Sequence, residues 1–461
     1  MRDRFPWIVA ACYALLFSAL GAIRYDAHHN LVDFGIFAQT AASAFGCFCN
    51  SIEGSHWAFH FSPILYLAGA LVRVWPSPYA LIVLQAIACA LAVPPIYALV
   101  APRAGRTIAR LAAGVCALYP VLAGLTFVDF HENGFAPAAV AWAMWAFDSG
   151  YLVTAIVCAL LAIAVKEDQA IFVGIAGLVG AWRFRGTRPG YAALTIAIAG
   201  FLAALVFFTK IQPHHVANAH WSPERFYDWS AADWRALVPL GLLQRAGFLL
   251  LVFVPLAFLP LRSRMAWLAL PPLAEVLLSR MSTTFTLGTH YAGAWIGYVL
   301  VAFAFAVRRL DPQRAARWLW ACMALCILQL AVADPMHPGL NLRARQPRDA
   351  ALDAILSTIP RNVSIATQEE AYTHLALDHP YATLLPEVAT APLAACYVLI
   401  DRDFPDSPRL QEYGVALQRL VAARTYVLVK KRGGIELYRA SSACSPAAAA
   451  AGQSPSARTA R

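Results

Sequence analysis

Between residues 5 and 333 the chain returns again and again to apolar runs long enough, or nearly long enough, to cross a lipid bilayer. Crossing the hydrocarbon core as a helix takes about 20 apolar residues. Eleven runs qualify, at about 5–23, 78–100, 109–128, 135–152, 153–166, 168–182, 189–209, 238–259, 265–280, 292–307 and 316–333. The pair at 153–182 is interrupted by Lys166-Glu167-Asp168 and reads as two short helices meeting at one membrane face. Only 13% of the residues are charged and 60% are hydrophobic. Soluble domains average about 25% and 45–50%, so a soluble fold of this composition could not cover its own surface. Lipid-facing helices have no such need. The expected fold is an all-α polytopic membrane domain over 1–333, with about 11 spans. Its first run, about 17 residues from Pro6 to Ala22, is long for a cleaved signal and reads as a retained span.

A net charge of +10 would suggest nucleic acid in a soluble protein. Here the excess is accounted for by orientation. With the N-terminus inside, 14 Arg fall in short cytoplasmic segments, from Arg2 and Arg4 to Arg314 and Arg317. That bias is the positive-inside pattern. It implies an inner (plasma) membrane protein with a cytoplasmic N-terminus and no nucleic-acid partner. All 12 His fall in the opposite loops or the C-terminal part, which puts the working face outside.

The first outer loop, 24–77, is long and contains a second apolar run, Pro63 to Trp75, expected as a helix lying at the interface. A later outer loop, about 210–237, holds Lys210, His214, His215, His220, Glu224, Arg225 and Asp228. After Asp334 the pattern changes. Helices are expected at 343–358 and 408–423, and strands at 362–367 and from Tyr397. A hairpin is expected to turn at Gly433-Gly434. Residues 334–440 thus read as a small soluble α/β domain, extracytoplasmic by the same topology, and 441–461 as a disordered tail. Cys47 and Cys49 share the first loop with one residue between them, a spacing expected to disfavour a mutual disulfide.

Carboxylates beside membrane helices are costly and invite a functional explanation. Asp26, His28, His29 and Asp33 follow the first span, His56 and His60 come later in the same loop, and Asp129, His131 and Glu132 lie between the third and fourth spans. Lys166-Glu167-Asp168 falls on the same face. Each has a structural alternative. Asp26 or Asp33 would cap a helix. Asp129 and Glu132 would sit in a solvated turn, and Lys166 would neutralise Glu167 or Asp168. His56 and His60, four apart, suit either a divalent metal or a packed turn.

The runs Asp33-Phe-Gly-Ile-Phe-Ala-Gln39, His60-Phe-Ser-Pro63 and Pro76-Ser-Pro to Gln85 resemble a family of predicted membrane proteins, domain of unknown function 2079. Phe130-His131-Glu132, Lys166-Glu167-Asp168 and His290-Tyr291 resemble the same family, over about residues 5–440. The layout also resembles the GT-C membrane glycosyltransferases, which include the aminoarabinose transferases and protein mannosyltransferases.

That second resemblance implies an extracytoplasmic glycosyltransferase moving a sugar from a polyprenyl-phosphate donor to an unidentified acceptor. Asp33, Asp26 or Glu132 would be the catalytic carboxylate. Lys166, Glu167, His60, His131, His290, Tyr291 and Arg225 would contact the donor phosphate or sugar. The Lys that follows the first loop in aminoarabinose transferases has no counterpart in His60-Phe-Ser-Pro63, where a protonated His60 is the candidate substitute. The scheme requires no cofactor and is compatible with a divalent metal. The rival expectations are a transporter or flippase, with Lys166-Glu167-Asp168 as a substrate site, and a non-catalytic membrane assembly protein.

Overall fold

The computed structural model describes residues 3–215, 224–227, 241–333, 335–336, 342–386, 393, 395–404 and 410–441, without the side chains of 224–225 and 410–414. All of the expected 441–461 tail beyond Ser441 and most of the 210–237 loop lie outside the described residues.

Helix α1 (Phe5–Asp26) starts with Pro6 in its first turn, where a missing N–H costs nothing. The first loop then forms α2 (Val32–Ala42), a two-residue ladder of β1 (Cys49–Asn50) with β2 (Gly54–Ser55), and α3 (Leu65–Val74) on the second apolar run. Cys47 and Cys49 form a disulfide, against expectation. Phe48 between them takes a left-handed φ of 48°, which folds the chain back so that the two Cα atoms lie 5.2 Å apart.

Next come α4 (Pro78–Ala90), α5 (Val93–Leu118), α6 (Pro120–Phe127), α7 (Ala136–Asp148), α8 (Leu152–Ile163), α9 (Glu167–Arg183) and α10 (Arg188–Val206). They are followed by α11 (Leu242–Phe253), α12 (Leu270–Leu278), α13 (Gly293–Val307) and α14 (Pro312–Val332).

Among the described residues, five helical stretches are long and apolar enough to cross a membrane, by length and composition. Other expected spans are built from shorter pieces, and the breaks have local causes. Gly105, at φ 83° and ψ 168°, interrupts α5 where a cytoplasmic turn is expected. The run at 109–128 breaks at Tyr119, whose extended backbone is what a following proline, Pro120, favours. Ala257 and Phe258 both take left-handed φ values and end the run at 238–259.

The break between α8 and α9 falls at Lys166, in extended conformation, as the charged triplet implies. Helix α10 packs along α9 through small residues. A Cβ on Gly200 would lie 2.4 Å from the carbonyl oxygen of Ala170, so only glycine permits this approach. Every residue of α13 is buried. It is apolar on all sides, as a helix enclosed by others must be.

The C-terminal residues form a five-stranded sheet in the order β4-β3-β5-β7-β6. Its strands are β3 (Ile365–Thr367), β4 (Ala382–Leu384), β5 (Tyr397–Asp401), β6 (Tyr426–Arg432) and β7 (Ile435–Ala440). Strand β3 runs parallel to β4 and β5, whereas β7 is antiparallel to β5 and β6. Arg432 pairs with Ile435 across the Gly433-Gly434 turn. Helices α15 (Pro347–Leu356), α16 (Glu369–Leu375) and α17 (Leu410–Ala422) complete the unit.

This unit is fastened to the first loop. Gln39 of α2 donates to the carbonyls of His379 and Ala382, at 3.1 and 3.0 Å, and accepts from the Tyr372 hydroxyl at 3.0 Å. Gly35 leaves room for the Tyr372 ring, which a Cβ there would meet at 2.2 Å.

Candidate active site

Five segments converge on one cavity of about 610 Å³: the start of α2, the 53–60 stretch, the loop before α7, the loop before α9, and the turn at His290. Sites for small ligands commonly enclose about 300–1,000 Å³.

Asp33 stands in the first turn of α2, whose following residues Phe34–Ala41 are buried and fix its direction. One of its carboxylate oxygens lies 3.4 Å from Nδ1 of His290. Burial pushes the Asp33 carboxyl up, but His290 and His131 outweigh it and hold it below the usual carboxylate range. His290 in turn stacks face to face on His131, with ring centroids 3.9 Å apart.

His131 is held from behind. Its backbone N–H donates to Gln85 Oε1 of α4 at 2.7 Å. The amide group of Gln85 donates to the carbonyls of Leu125, Thr126, Val128 and Asp129, at 2.9 to 3.2 Å. One α4 side chain thus sets the course of the loop that carries His131 and Glu132.

Glu132 is fully buried just behind the cavity wall. Its Oε2 lies 2.9 Å from His131 Nδ1, and its Oε1 lies 3.8 Å from Lys166 Nζ. The same Nδ1 accepts from the Asn133 N–H at 3.4 Å. Neither oxygen of Glu132 has a well-aligned hydrogen bond. Burial pushes Glu132 up, and His131 and Lys166 reverse this and hold it well below the usual range. Burial also drives His131 down to about 4. At neutral pH, therefore, His131 is uncharged, and the charge that balances Glu132 is Lys166.

His60 Nδ1 lies 2.9 Å from Glu167 Oε1, and the Phe61 N–H donates to Glu167 Oε2 at 2.8 Å. Burial and Lys166 push His60 down, but Glu167 and Glu132 bring it above its usual value. His56, four residues earlier, is fully buried against Phe37 and Phe48 and pushed down by burial to about 3. The two rings are 5.8 Å apart, and no third ligand type joins them among the described residues.

The cavity is therefore lined by Asp33, His60, His131, Lys166, Glu167, His290 and Tyr291, all of them picked out by sequence. Asp26 lies outside it and accepts a 2.5 Å hydrogen bond from the Tyr79 hydroxyl. Asp129 serves the fold: it receives Asn30 and the Leu31 N–H at 2.8 Å, and Arg24 at 3.1 Å. Burial raises its carboxyl to about 6 even so. The side chain of Arg225 lies outside the described residues.

Sequence reasoning missed Glu53, Tyr227 and Glu275 in the lining. Glu275 had a signal, a carboxylate inside an expected span, which by default marks function. Glu53 and Tyr227 had none, because a single polar residue in a polar loop carries no pattern. The lining places five carboxylates, one lysine and several imidazoles around one small-molecule-sized space. Such a set can accept a proton on one side and neutralise an anion on the other.

This arrangement sits in a fold similar to that of a solved structure, ArnT. ArnT from Cupriavidus metallidurans, solved bound to undecaprenyl phosphate, superimposes with a TM-score of 0.53 at 13% identity. The match covers 92% of this chain and 97% of that one. Its apo structure gives 0.54 at 13% identity, covering 93% and 98%. The apo oligosaccharyltransferase of Archaeoglobus fulgidus gives 0.40 at 12% identity, covering 83% of this chain and 64% of that one. Residues 27–437 match the family of predicted membrane proteins DUF2079, and the chain belongs to that family. A search of curated protein sequences finds no match.

Proposed function

We propose that this protein is an extracytoplasmic glycosyltransferase that moves a sugar from a polyprenyl-phosphate donor to an acceptor hydroxyl. The observation that carries the reading is the placing of the Asp33 carboxylate and the Lys166 ammonium on one cavity wall set, in a chain whose fold matches an ArnT bound to undecaprenyl phosphate. The Cys47–Cys49 disulfide supports the outer placement of the first loop, because disulfides persist in oxidising compartments.

In this mechanism the acceptor oxygen attacks the anomeric carbon as the bond from that carbon to the phosphate oxygen breaks. Asp33, ionised at neutral pH, takes the acceptor proton. The electron pair of the broken bond leaves on the lipid phosphate, whose charge faces Lys166 and His60. His290, 3.4 Å from the Asp33 carboxylate, holds it charged and in place. Glu132 anchors Lys166 from behind and does not itself reach the cavity.

The test is complementation. The gene is deleted, glycans and lipid-linked sugars are profiled, and wild type or Asp33→Asn is restored. The expected result is accumulation of a polyprenyl-phosphate sugar, loss of one glycan residue, and no rescue by a normally expressed Asp33→Asn. Unchanged glycans and donors, or full rescue by Asp33→Asn, would overturn the assignment.

A further inference from the structure

A second cluster of ligand-type side chains lies apart from the cavity, where the end of α1 meets the C-terminal unit. His28 follows α1, Asp353 stands on α15 and His374 on α16. One ligand atom from each lies within 4.8 Å of the other two. His28 Nε2 is 3.1 Å from Asp353 Oδ1, and His374 Nδ1 is 3.8 Å from the same oxygen. Two ligands each held about 2.0–2.2 Å from a zinc ion are separated by distances of this order.

The independent observation is His28 itself. It is fully buried, and neither of its ring nitrogens has a hydrogen-bond partner. The 3.1 Å approach to Asp353 lacks hydrogen-bond alignment, so a nitrogen and a carboxylate oxygen face each other with no aligned proton between them. A buried polar group left in this state is costly unless a cation completes it.

The outer contact of His374 prepares its ring as a ligand. A metal-binding histidine commonly donates its other ring N–H to a carbonyl or carboxylate, which fixes the tautomer. His374 Nε2 lies 3.0 Å from the carbonyl oxygen of Tyr25, leaving Nδ1 as the lone-pair atom. His28 Nδ1 makes no hydrogen bond and faces Asp349 at 3.8 Å. Asp349 is clamped by both terminal nitrogens of Arg343, at 2.6 and 2.8 Å. The remaining oxygen of Asp353 is bound by Arg345. Imidazole ligands with one carboxylate suit zinc, in preference to calcium or magnesium, which favour all-oxygen sets.

We propose that His28, Asp353 and His374 bind one zinc-type divalent cation, which fastens the C-terminal α/β unit to the end of α1. This site is distinct from the cavity, none of its three residues lining it. It is independent of the proposed transfer reaction.

The experiment uses the full chain in detergent micelles, purified on a tag without histidine and stripped with EDTA. ZnCl2 is added, the excess is removed by gel filtration, and bound metal is counted by mass spectrometry. CoCl2 is added in parallel to read visible absorption bands. The expected result is one zinc per chain in wild type, cobalt bands of a low-symmetry nitrogen and oxygen site, and a rise in melting temperature with zinc. His374→Ala and His28→Asn should each weaken binding by about 100-fold or more, since changes to outer-shell partners alone cost about 10–100-fold. Asparagine is chosen because it tolerates the left-handed φ of 57° at position 28. His290→Ala, in the cavity, should keep the zinc. Wild type that retains no zinc and shows no cobalt bands would overturn the proposal. So would zinc that survives both His28→Asn and His374→Ala, or zinc that is lost in His290→Ala.

Discussion

The imidazoles of His131 and His290 lie face to face, 3.9 Å apart and within 8° of parallel, and so join Glu132 on one side to Asp33 on the other. The stack carries a testable consequence for acidity. His290 and His131 are what keep Asp33 below the usual carboxylate range in a site whose burial pushes the other way. His290→Ala removes the first of these and leaves burial to dominate. The Asp33 carboxyl then rises, and its ionised form is lost at higher pH. The acid limb of a kcat/KM profile should move upward in His290→Ala, with more activity lost near pH 5 than near pH 7. An unshifted limb would detach His290 from Asp33.

Lys166 and Glu132 are separable by a double change. Lys166→Met strands a buried Glu132 charge, at a cost of about 3–5 kcal/mol. Glu132→Gln in the same chain removes that charge and should restore most of the melting temperature. Transfer should stay abolished, because the donor phosphate still lacks its cation. Recovery of both stability and activity would mean that Lys166 acts only to neutralise Glu132.

The His60–Glu167 contact predicts a stability window. The folded His60 value lies above its ordinary 6.5, so the folded protein holds this proton more tightly than the unfolded chain. The contribution is complete below pH 6.5 and is lost as pH rises through the folded value. Wild type should therefore lose more melting temperature than His60→Gln between pH 6.5 and alkaline pH. Parallel curves for the two proteins would deny the shift.

Arg24 and Asp129 form a buried pair that ties the end of α1 to the loop after α6, 3.1 Å apart. Arg24→Met leaves Asp129 without its cation and should cost about 3–5 kcal/mol. Asp129→Asn alone should cost less, since burial already raises that carboxyl to about 6. The order of the two melting temperatures in detergent checks this.

The membrane character, the break at Lys166 and the hairpin at Gly433-Gly434 were legible, because each has a local pattern: apolar length, a charge triplet, a glycine pair. The cavity was legible residue by residue, Asp33, His131 and Lys166 through shared loop placement and His290 through the family resemblance. Asp26 was singled out with them but binds Tyr79 elsewhere, since sequence proximity to Asp33 says nothing of the direction a side chain takes. Helices expected to be continuous break where Tyr119 precedes Pro120 and where Ala257 and Phe258 turn left-handed. Hydropathy averages over such breaks. The roles of Gln39 and Gln85 were invisible, although both sit in recognisable runs. A buried amide declares itself only when the carbonyls it serves, up to 343 residues away, are seen beside it.

Gly35 and Tyr372 offer the sharpest check on how the C-terminal unit sits. Only a glycine on α2 admits the Tyr372 ring, which a Cβ would meet at 2.2 Å. Gly35→Ala should therefore destabilise by about 1–3 kcal/mol, the range for overpacking. Alanine is otherwise the better helix residue by about 1 kcal/mol, so a loose interface would show the opposite sign. Tyr372→Leu added to Gly35→Ala should recover part of the loss, because the shorter side chain vacates the contested space. Tyr372→Leu alone should cost stability through the emptied volume and the lost hydrogen bond to Gln39. A double-mutant cycle on melting temperature reads the coupling directly. Additive effects would show that α2 and α16 do not meet at these two residues.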